Sequence, residues 1–462
     1  MPNLSQLKKN GEILTNLNQK PEMSHRLISL FLALSSMSLI VHTGLFNEVK
    51  LVSSTLVLGF LLIAAYCVGY VLSQWGLPRI TGNLLAGLLL GPYFFQYFSA
   101  EAVSDLSFLN SLALAFIAFC AGGEFKIEGV RQHLKSILFL ISGVTTVVFF
   151  GVSLTVLAIS EMIPFMAKYN FLTRMAISAL FGVIAVARSP SSAIAIISET
   201  KAKGDYTNIV LSVTIVMDVV IIILFGIVIS FCQVLISNSG SIDPTFFLDL
   251  LAEIAIALFL GFLLGKSIVF LIQNVKMEFP VVIIAVGFIV IKFSHLLGDY
   301  LHEVHDIGLH LEPLLMCMSA GFTIQNFSKY GKIFLSKMDG VSLPIYVAFF
   351  AITGASINVD ILKSGWMLGL VIVASRTLMI FIGSNLSGRL AGDSPKIYKN
   401  TWMGFITQAG VSLGLLTEIV RRFPEIGVPI QSILIAAIPL NQIAGPIAFK
   451  FALKKLGETN NR

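Results

Sequence analysis

Residues 209 to 236 read IVLSVTIVMDVVIIILFGIVISFCQVLI, an apolar run long enough to cross a bilayer with one charged residue, Asp218, near its middle. At about 1.5 Å of rise per residue the carboxylate lies roughly 13 Å in from Ile209, close to the bilayer midplane. An ionised acid without a partner is costly at that depth, so it marks an ion or proton site, the alternative being a structural ion pair between helices.

The rest of the chain is of the same kind. A soluble domain is about a quarter charged, whereas this chain of 462 residues is 12% charged and 56% hydrophobic. An all-α, polytopic membrane protein with 13 to 14 transmembrane helices is expected, in contact with the lipid bilayer throughout. Apolar runs near 26–46, 52–74, 79–97, 106–123, 134–160, 174–197, 208–236, 246–273, 279–298, 308–324, 341–358, 365–388, 401–420 and 429–454 are the candidate spans. Assigning the connections alternately to two sides places 21 Lys/Arg on the side of the N-terminal tail and 6 on the other. That asymmetry predicts that both termini face the cytoplasm. The formal charge of +6 has no basic run interleaved with aromatics behind it, so nucleic acid is not an expected partner.

Residues 1–25 form a polar tail and 455–462 a short one, with the membrane domain at 26–454 between them. The run at 26–46 is too long for a signal h-region and is read as an extra N-terminal helix, which suggests a plasma or inner membrane. Connections of at most about sixteen residues leave no room for a soluble nucleotide-binding domain, and no enzyme chemistry or cofactor is expected. Cys67, Cys120, Cys232 and Cys317 fall inside spans without CxxC spacing, so neither a disulfide framework nor a zinc site is indicated.

The two halves resemble each other. GGEFKIE at 122–128 parallels GASINVD at 354–360, and GVIAVARSPSSA at 182–193 parallels GFITQAGVSLGL at 404–415, which sets Asp218 opposite Asn441. The segments 52–236 and 279–454 then hold six helices each, and the odd linker at 246–273 makes the second half enter from the opposite side. Inverted repeats of this kind are typical of secondary transporters.

Chemistry concentrates where helices cannot be continuous. In LFGVIAVARSPSSAIAII, residues 180–197, Pro190 removes a donor and breaks the ladder beside Arg188, Ser189, Ser191 and Ser192. The counterpart ITQAGVSLGLL, 406–416, sets Gln408, Gly410, Ser412 and Gly414 at matching depth and is a poor helix former. Two crossed discontinuous helices at corresponding positions are expected, although Pro and Gly also merely kink membrane helices. Arg376, mid-span, stays protonated and must be paired or offset helix dipoles. Arg188 could reach Asp218, and a permanent pair would neutralise the site. Thr214, one turn before Asp218, could supply an oxygen ligand or bond to its own backbone.

GNLLAGLLLGP, FCAGGEFKIEGV, ARSPSSAIAIISETKAKG followed by VMDVV, GASINVD, mid-span Arg376, QAGVSLGL and NQIAGP together resemble the membrane domain of the monovalent cation:proton antiporters, from about residue 52 onward. The resemblance implies a homodimer whose core holds crossed helices beside a cation-binding aspartate, with elevator-like alternating access. Carried over residue by residue, Asp218 is the cation and proton carrier and Arg376 compensates the dipoles of the crossed pair. The chain departs from the pattern at Met217, where Asp or Asn is common, at Asn441 and Gln442 in place of the glutamate-containing NEIIGP, and at Arg188, where an uncharged residue is usual.

A mechanism follows from the single acid. Desolvation favours the neutral form of a carboxylate and a bound cation favours the ionised form, so Na⁺ or K⁺ competes with H⁺ for Asp218. Met217 cannot titrate and Arg376 keeps its proton, so electroneutral exchange is expected. The alternatives are sodium-coupled symport of an organic anion, and a channel or transport-inactive sensor in which Arg188 locks Asp218. Residues of lesser weight are HEVHD at 302–306 with His295 and His310, which could bind a metal or sense pH but read as a solvated turn, and Glu312 and Lys292, which could line a pathway but at span margins read, like Asp249, Glu253 and Lys266, as interfacial or structural.

Overall fold

The computed structural model describes residue 35 and residues 50–237, 244–275, 277–305, 312–408 and 410–459. The expected helix at 26–46 therefore lies, but for one residue, outside the described part. Fourteen principal helices are numbered here in chain order: α1 Lys50–Gln74, α2 Arg79–Leu90, α3 Ser107–Glu124, α4 Leu134–Ala158, α5 Phe171–Val186, α6 Pro190–Thr200 and α7 Asp205–Ser237. The others are α8 Pro244–Asn274, α9 Phe279–His305, α10 Pro313–Asn326, α11 Gly331–Ala355, α12 Val359–Ala391, α13 Gly410–Arg422 and α14 Pro424–Leu456. Short helices at Ala100–Asp105, Ile127–Gln132 and Pro395–Thr401 join them.

Among the described residues nine helical segments are long and apolar enough to cross a membrane, α5 and α6 counting as one. Three ends differ from the sequence reading. The run expected at 79–97 ends as a helix at Leu90, because Gly91 turns the chain and Pro92 cannot continue the ladder. Helix α11 begins at Gly331 rather than near 341, since Lys332, Lys337 and Asp339 depress its hydropathy without preventing helix formation. Helix α9 continues to His305, so most of HEVHD is helical rather than a turn, and residues 306–311, with His310, lie outside the described residues.

Which helices are central follows from burial. In the most apolar stretch of Phe171–Thr200, 94% of residues are buried, against 28% for Leu134–Ala158. The first is walled by protein, whereas the second turns Phe150 and Leu154 outward, as a lipid-facing helix does. Cys67, Cys120, Cys232 and Cys317 are all buried free thiols.

Helices α4, α5, α7, α12 and α14 pack on one another with α6 and α13 among them. Helices α1, α2, α3, α8, α10 and α11 form a second group, in which α3 lies on α10 as α2 lies on α11. Small residues set both of the latter contacts. A Cβ on Gly122 would meet the Met318 carbonyl at 1.9 Å, and one on Gly321 the Phe119 carbonyl at 2.1 Å. In the other pair, a Cβ on Gly87 would meet the Ala351 carbonyl at 2.0 Å and one on Gly354 the Leu84 carbonyl at 2.1 Å. Backbones this close leave no space for a side chain, the small-residue packing on which membrane helices rely. Gly321→Val is therefore expected to force α3 and α10 apart and lower the melting temperature in detergent. A thermal shift equal to that of Gly414→Val, where a Cβ meets nothing within 4 Å, would contradict this.

A buried ion pair between α6 and α14 ties the first group to the start of α2 in the second. Lys450 Nζ on α14 lies 2.7 Å from Glu199 Oε1 on α6 and 2.8 Å from the Leu77 carbonyl, while the Arg79 amide at the start of α2 donates to Glu199 Oε2 at 2.8 Å. Both carboxylate oxygens and two of the three ammonium donors thus have partners, and additional hydrogen bonds of this kind are what make a buried pair tolerable.

Candidate functional site

The segment around Pro190 unwinds as its chemistry requires. Helix α5 ends at Val186, residues 187–189 are extended, and Pro190 takes the first turn of α6, where its missing N–H costs nothing. Ser189 caps α6, its hydroxyl accepting from the Ser192 amide at 3.3 Å. The same hydroxyl lies 2.9 Å from that of Ser191 and donates to that of Ser192 at 3.1 Å. The counterpart behaves alike. A 3-10 turn, Trp402–Phe405, gives way to the non-helical stretch 406–408, and Gly410 begins α13.

The two breaks meet. The Ser189 amide donates to the Thr407 carbonyl at 3.2 Å, one extended stretch against the other, which makes this a crossing. Interrupting a helix orphans the carbonyls of its last turn and the amides of its first. The carbonyls find Arg376. From α12, fully buried, its guanidinium donates to Ala185 at 2.8 Å and Ala187 at 2.9 Å on one side, and to Ile406 and, at 3.4 Å, Phe405 on the other. One planar fork therefore binds both C-terminal ends at once, a geometry arginine can satisfy and lysine cannot. Gln408 donates to the Ile184 carbonyl at 2.8 Å and accepts from Asn441 on α14 at 3.0 Å, joining crossing and flank. Gln442 and Ser412 are buried nearby.

Asp218 stands in α7 beside the crossing. Its Oδ1 is buried and has no hydrogen-bond partner among the described residues. It lines a cavity of about 170 Å³ together with Arg188, Ser189, Pro190, Ser191 and Glu312. The remainder of the wall is apolar, from α3, α10 and α13. The pairing of Arg188 with Asp218, which the sequence left open, is not made. Arg188 is 2% exposed, its guanidinium lies 3.9 Å over the Phe405 ring, and none of its three guanidinium nitrogens has a hydrogen-bond partner among the described residues.

The structure brings the expected residues together unequally. Asp218, Ser189, Ser191, Pro190 and Arg188 share the cavity, and Arg376, Gln408 and Asn441 build the crossing behind it. Thr214 does neither: its hydroxyl donates to the Val210 carbonyl at 2.7 Å, and the residue is not part of the cavity wall. Ser192 is held in the cap. Glu312, which sequence reasoning left at a span margin, lines the cavity, and Phe405 was missed altogether. For Glu312 the available signal was its place directly before Pro313 at a helix start within an apolar stretch. Oxygen ligands for a monovalent cation are thus available from Asp218, Ser189 and Ser191, while the thioether of Met318 in the same wall is a soft donor that suits such an ion poorly.

Paired interrupted helices crossing beside a buried acid define the class of ion-coupled secondary transporters, which build their sites from discontinuous helices. Residues 59–455 match the family of the transmembrane sodium/hydrogen exchanger, and the chain belongs to that family, one of cation/proton exchange. The probable Na(+)/H(+) antiporter 3 of Methanocaldococcus jannaschii is 22% identical over 393 residues, 83% of this chain and 91% of the relative. The probable Na(+)/H(+) antiporter GerT of Bacillus cereus is 22% identical over 357 residues, 76% and 87% of the two chains. Two solved structures of the sodium proton antiporter MjNhaP1 from M. jannaschii share the fold. One, at pH 8, has a TM-score of 0.58 and 19% identity over 89% of this chain and 96% of its own. The other, from electron microscopy, has a TM-score of 0.61 and 21% identity over 88% and 98%.

Proposed function

We propose that this protein exchanges a monovalent cation, Na⁺ or K⁺, for H⁺ by competition at Asp218. The observation that carries the reading is a carboxylate oxygen that is buried, without a hydrogen-bond partner, and set in a cavity beside crossed helix ends. A buried ionised acid needs a counter-charge, and either a proton or a metal ion supplies it. The relatives' names favour Na⁺ among the candidate ions. Ser189 and Ser191 contribute oxygen ligands, and Arg376 holds the crossing by offsetting both sets of carbonyl dipoles.

The matched pairing of α3 with α10 and α2 with α11 supports two inverted six-helix repeats, 52–236 and 279–454, joined by the helix of 246–273. The cavity wall is shared between the group that carries the crossing and the group that contains α3 and α10, which supports elevator-like sliding of the first against the second. A homodimer with both termini cytoplasmic, in a plasma or inner membrane, completes the reading. Arg188 in the wall is the one feature that favours symport of an organic anion instead, and two carboxylates in the same wall oppose it.

The test is pH-gradient dequenching in proteoliposomes with Na⁺, K⁺ and Li⁺ in turn, for the wild type and Asp218→Asn. Saturable dequenching by at least one cation, lost in the variant, is the expected result; equal traces from both proteins would sink the reading. Exchange is also expected to be electroneutral, because a single titrating carrier returns one proton per cation. A voltage-sensitive dye should therefore stay silent when a cation gradient alone drives transport, and a sustained potential would contradict one-for-one exchange.

A further inference from the structure

The cavity beside Asp218 holds three charged side chains among the described residues: Asp218, Glu312 and Arg188. Arg188 is the unexplained one. A guanidinium over a phenylalanine ring gains something from the ring's quadrupole, but less than it loses with its water. Its three nitrogens, buried and without partners, face a cavity wall in which the only counter-charges are the two carboxylates. The other buried arginine, Arg376, is engaged by four carbonyls and is not part of that wall.

Charge counting then raises a difficulty for a site with one acid. Asp218 and Arg188 sum to zero, and a neutral cavity gives a cation no electrostatic reason to enter. We propose that Glu312 is a second carboxylate of the cation site, whose charge offsets Arg188 and leaves that of Asp218 for the transported ion. Glu312 is exposed and comes from the opposite wall, directly before α10, whereas Arg188 and Asp218 come from the crossing and α7. With both acids ionised the cavity carries one net negative charge, and one monovalent cation, or one proton on Asp218, makes it neutral. The inference rests on the exchange reading above and adds the residue that lets a site containing a fixed guanidinium bind a cation.

The experiment measures the apparent KM for the transported cation in proteoliposomes for Glu312→Gln, Glu312→Asp and the double variant Glu312→Gln/Arg188→Gln, with Asp218→Asn as reference. Between two unit charges, a separation of about 10 Å under an effective dielectric of about 20 corresponds to a change in binding of about tenfold or more. Glu312→Gln is accordingly expected to raise KM at least about tenfold while transport persists at high cation. Glu312→Asp, which keeps the charge, should stay near wild type, and the double variant should recover most of the lost affinity. A wild-type KM in Glu312→Gln overturns the proposal, as does a double variant no better than Glu312→Gln. Because Glu312 is exposed, the single variants test electrostatics rather than folding. If Asp218→Asn abolishes exchange while Glu312→Gln leaves KM unchanged, only the role of Glu312 falls; if Asp218→Asn transports normally, the exchange reading itself falls.

Discussion

Asp218→Asn is expected to reduce cation/proton exchange to the level of protein-free liposomes while leaving the melting temperature close to that of the wild type. Asparagine has nearly the same volume, so the helix and cavity persist. It can neither bind a proton near neutral pH nor carry the charge that attracts a cation, so both substrates lose their site together. Stability should change little because Asp218 Oδ1 has no hydrogen-bond partner to lose. A carboxylate bound in a structural ion pair behaves in the opposite way, since removing one partner strands the other and destabilises the fold. The two measurements together therefore separate a carrier from a strut. Competition also fixes the sign of the pH dependence: acidifying the cation side should raise the apparent KM for the cation with little change in maximal rate. A fall in maximal rate at constant KM would show that proton and cation bind separate groups.

Arg376→Leu is expected to have the largest effect on stability of any single substitution in the protein. The guanidinium meets four carbonyls, Ala185 and Ala187 from one break and Phe405 and Ile406 from the other, and no other side chain donates to them among the described residues. A buried polar group left without its partner costs about 1–3 kcal/mol. Several such losses within one crossing should unfold it or let it relax, so exchange disappears with a melting temperature well below wild type in detergent. Arg376→Lys should recover part of the stability, because an ammonium reaches one break but cannot fork across both. A variant Arg376→Leu that melts with the wild type would mean that water or a rearranged side chain satisfies those carbonyls.

The contrast between the two arginines shows how far residues alone could lead. Both were legible as charges at membrane depth, and both had Asp218 or freed carbonyls as conceivable partners. Arg376 reaches the carbonyls of Ala185 and Ala187, roughly 190 positions earlier in the chain, through the packing of α12 against the crossing. Arg188, only thirty positions before Asp218, lies over Phe405 instead of bonding to it. Thr214 was legible as a hydroxyl on the face of Asp218, but the nearest acceptor in its own helix, the Val210 carbonyl, holds its proton. Glu312 gave the weakest signal and acquired its significance only when α10, packed on α3, was found to line the same cavity as Asp218 of α7.

Residue order was enough to show a chain of apolar spans with helix breaks at Pro190 and near Gly410, and to set an acid and two arginines within those spans. Those properties follow from hydrophobic length and from the lost donor of Pro190, which act within one segment and need no partner. Only the packed fold shows which charge meets which dipole, that Arg188 and Asp218 share a cavity without bonding, and that Glu312 lines the same cavity. Such pairings depend on ångström-scale distances between segments far apart in the chain, and hydropathy carries no information about them.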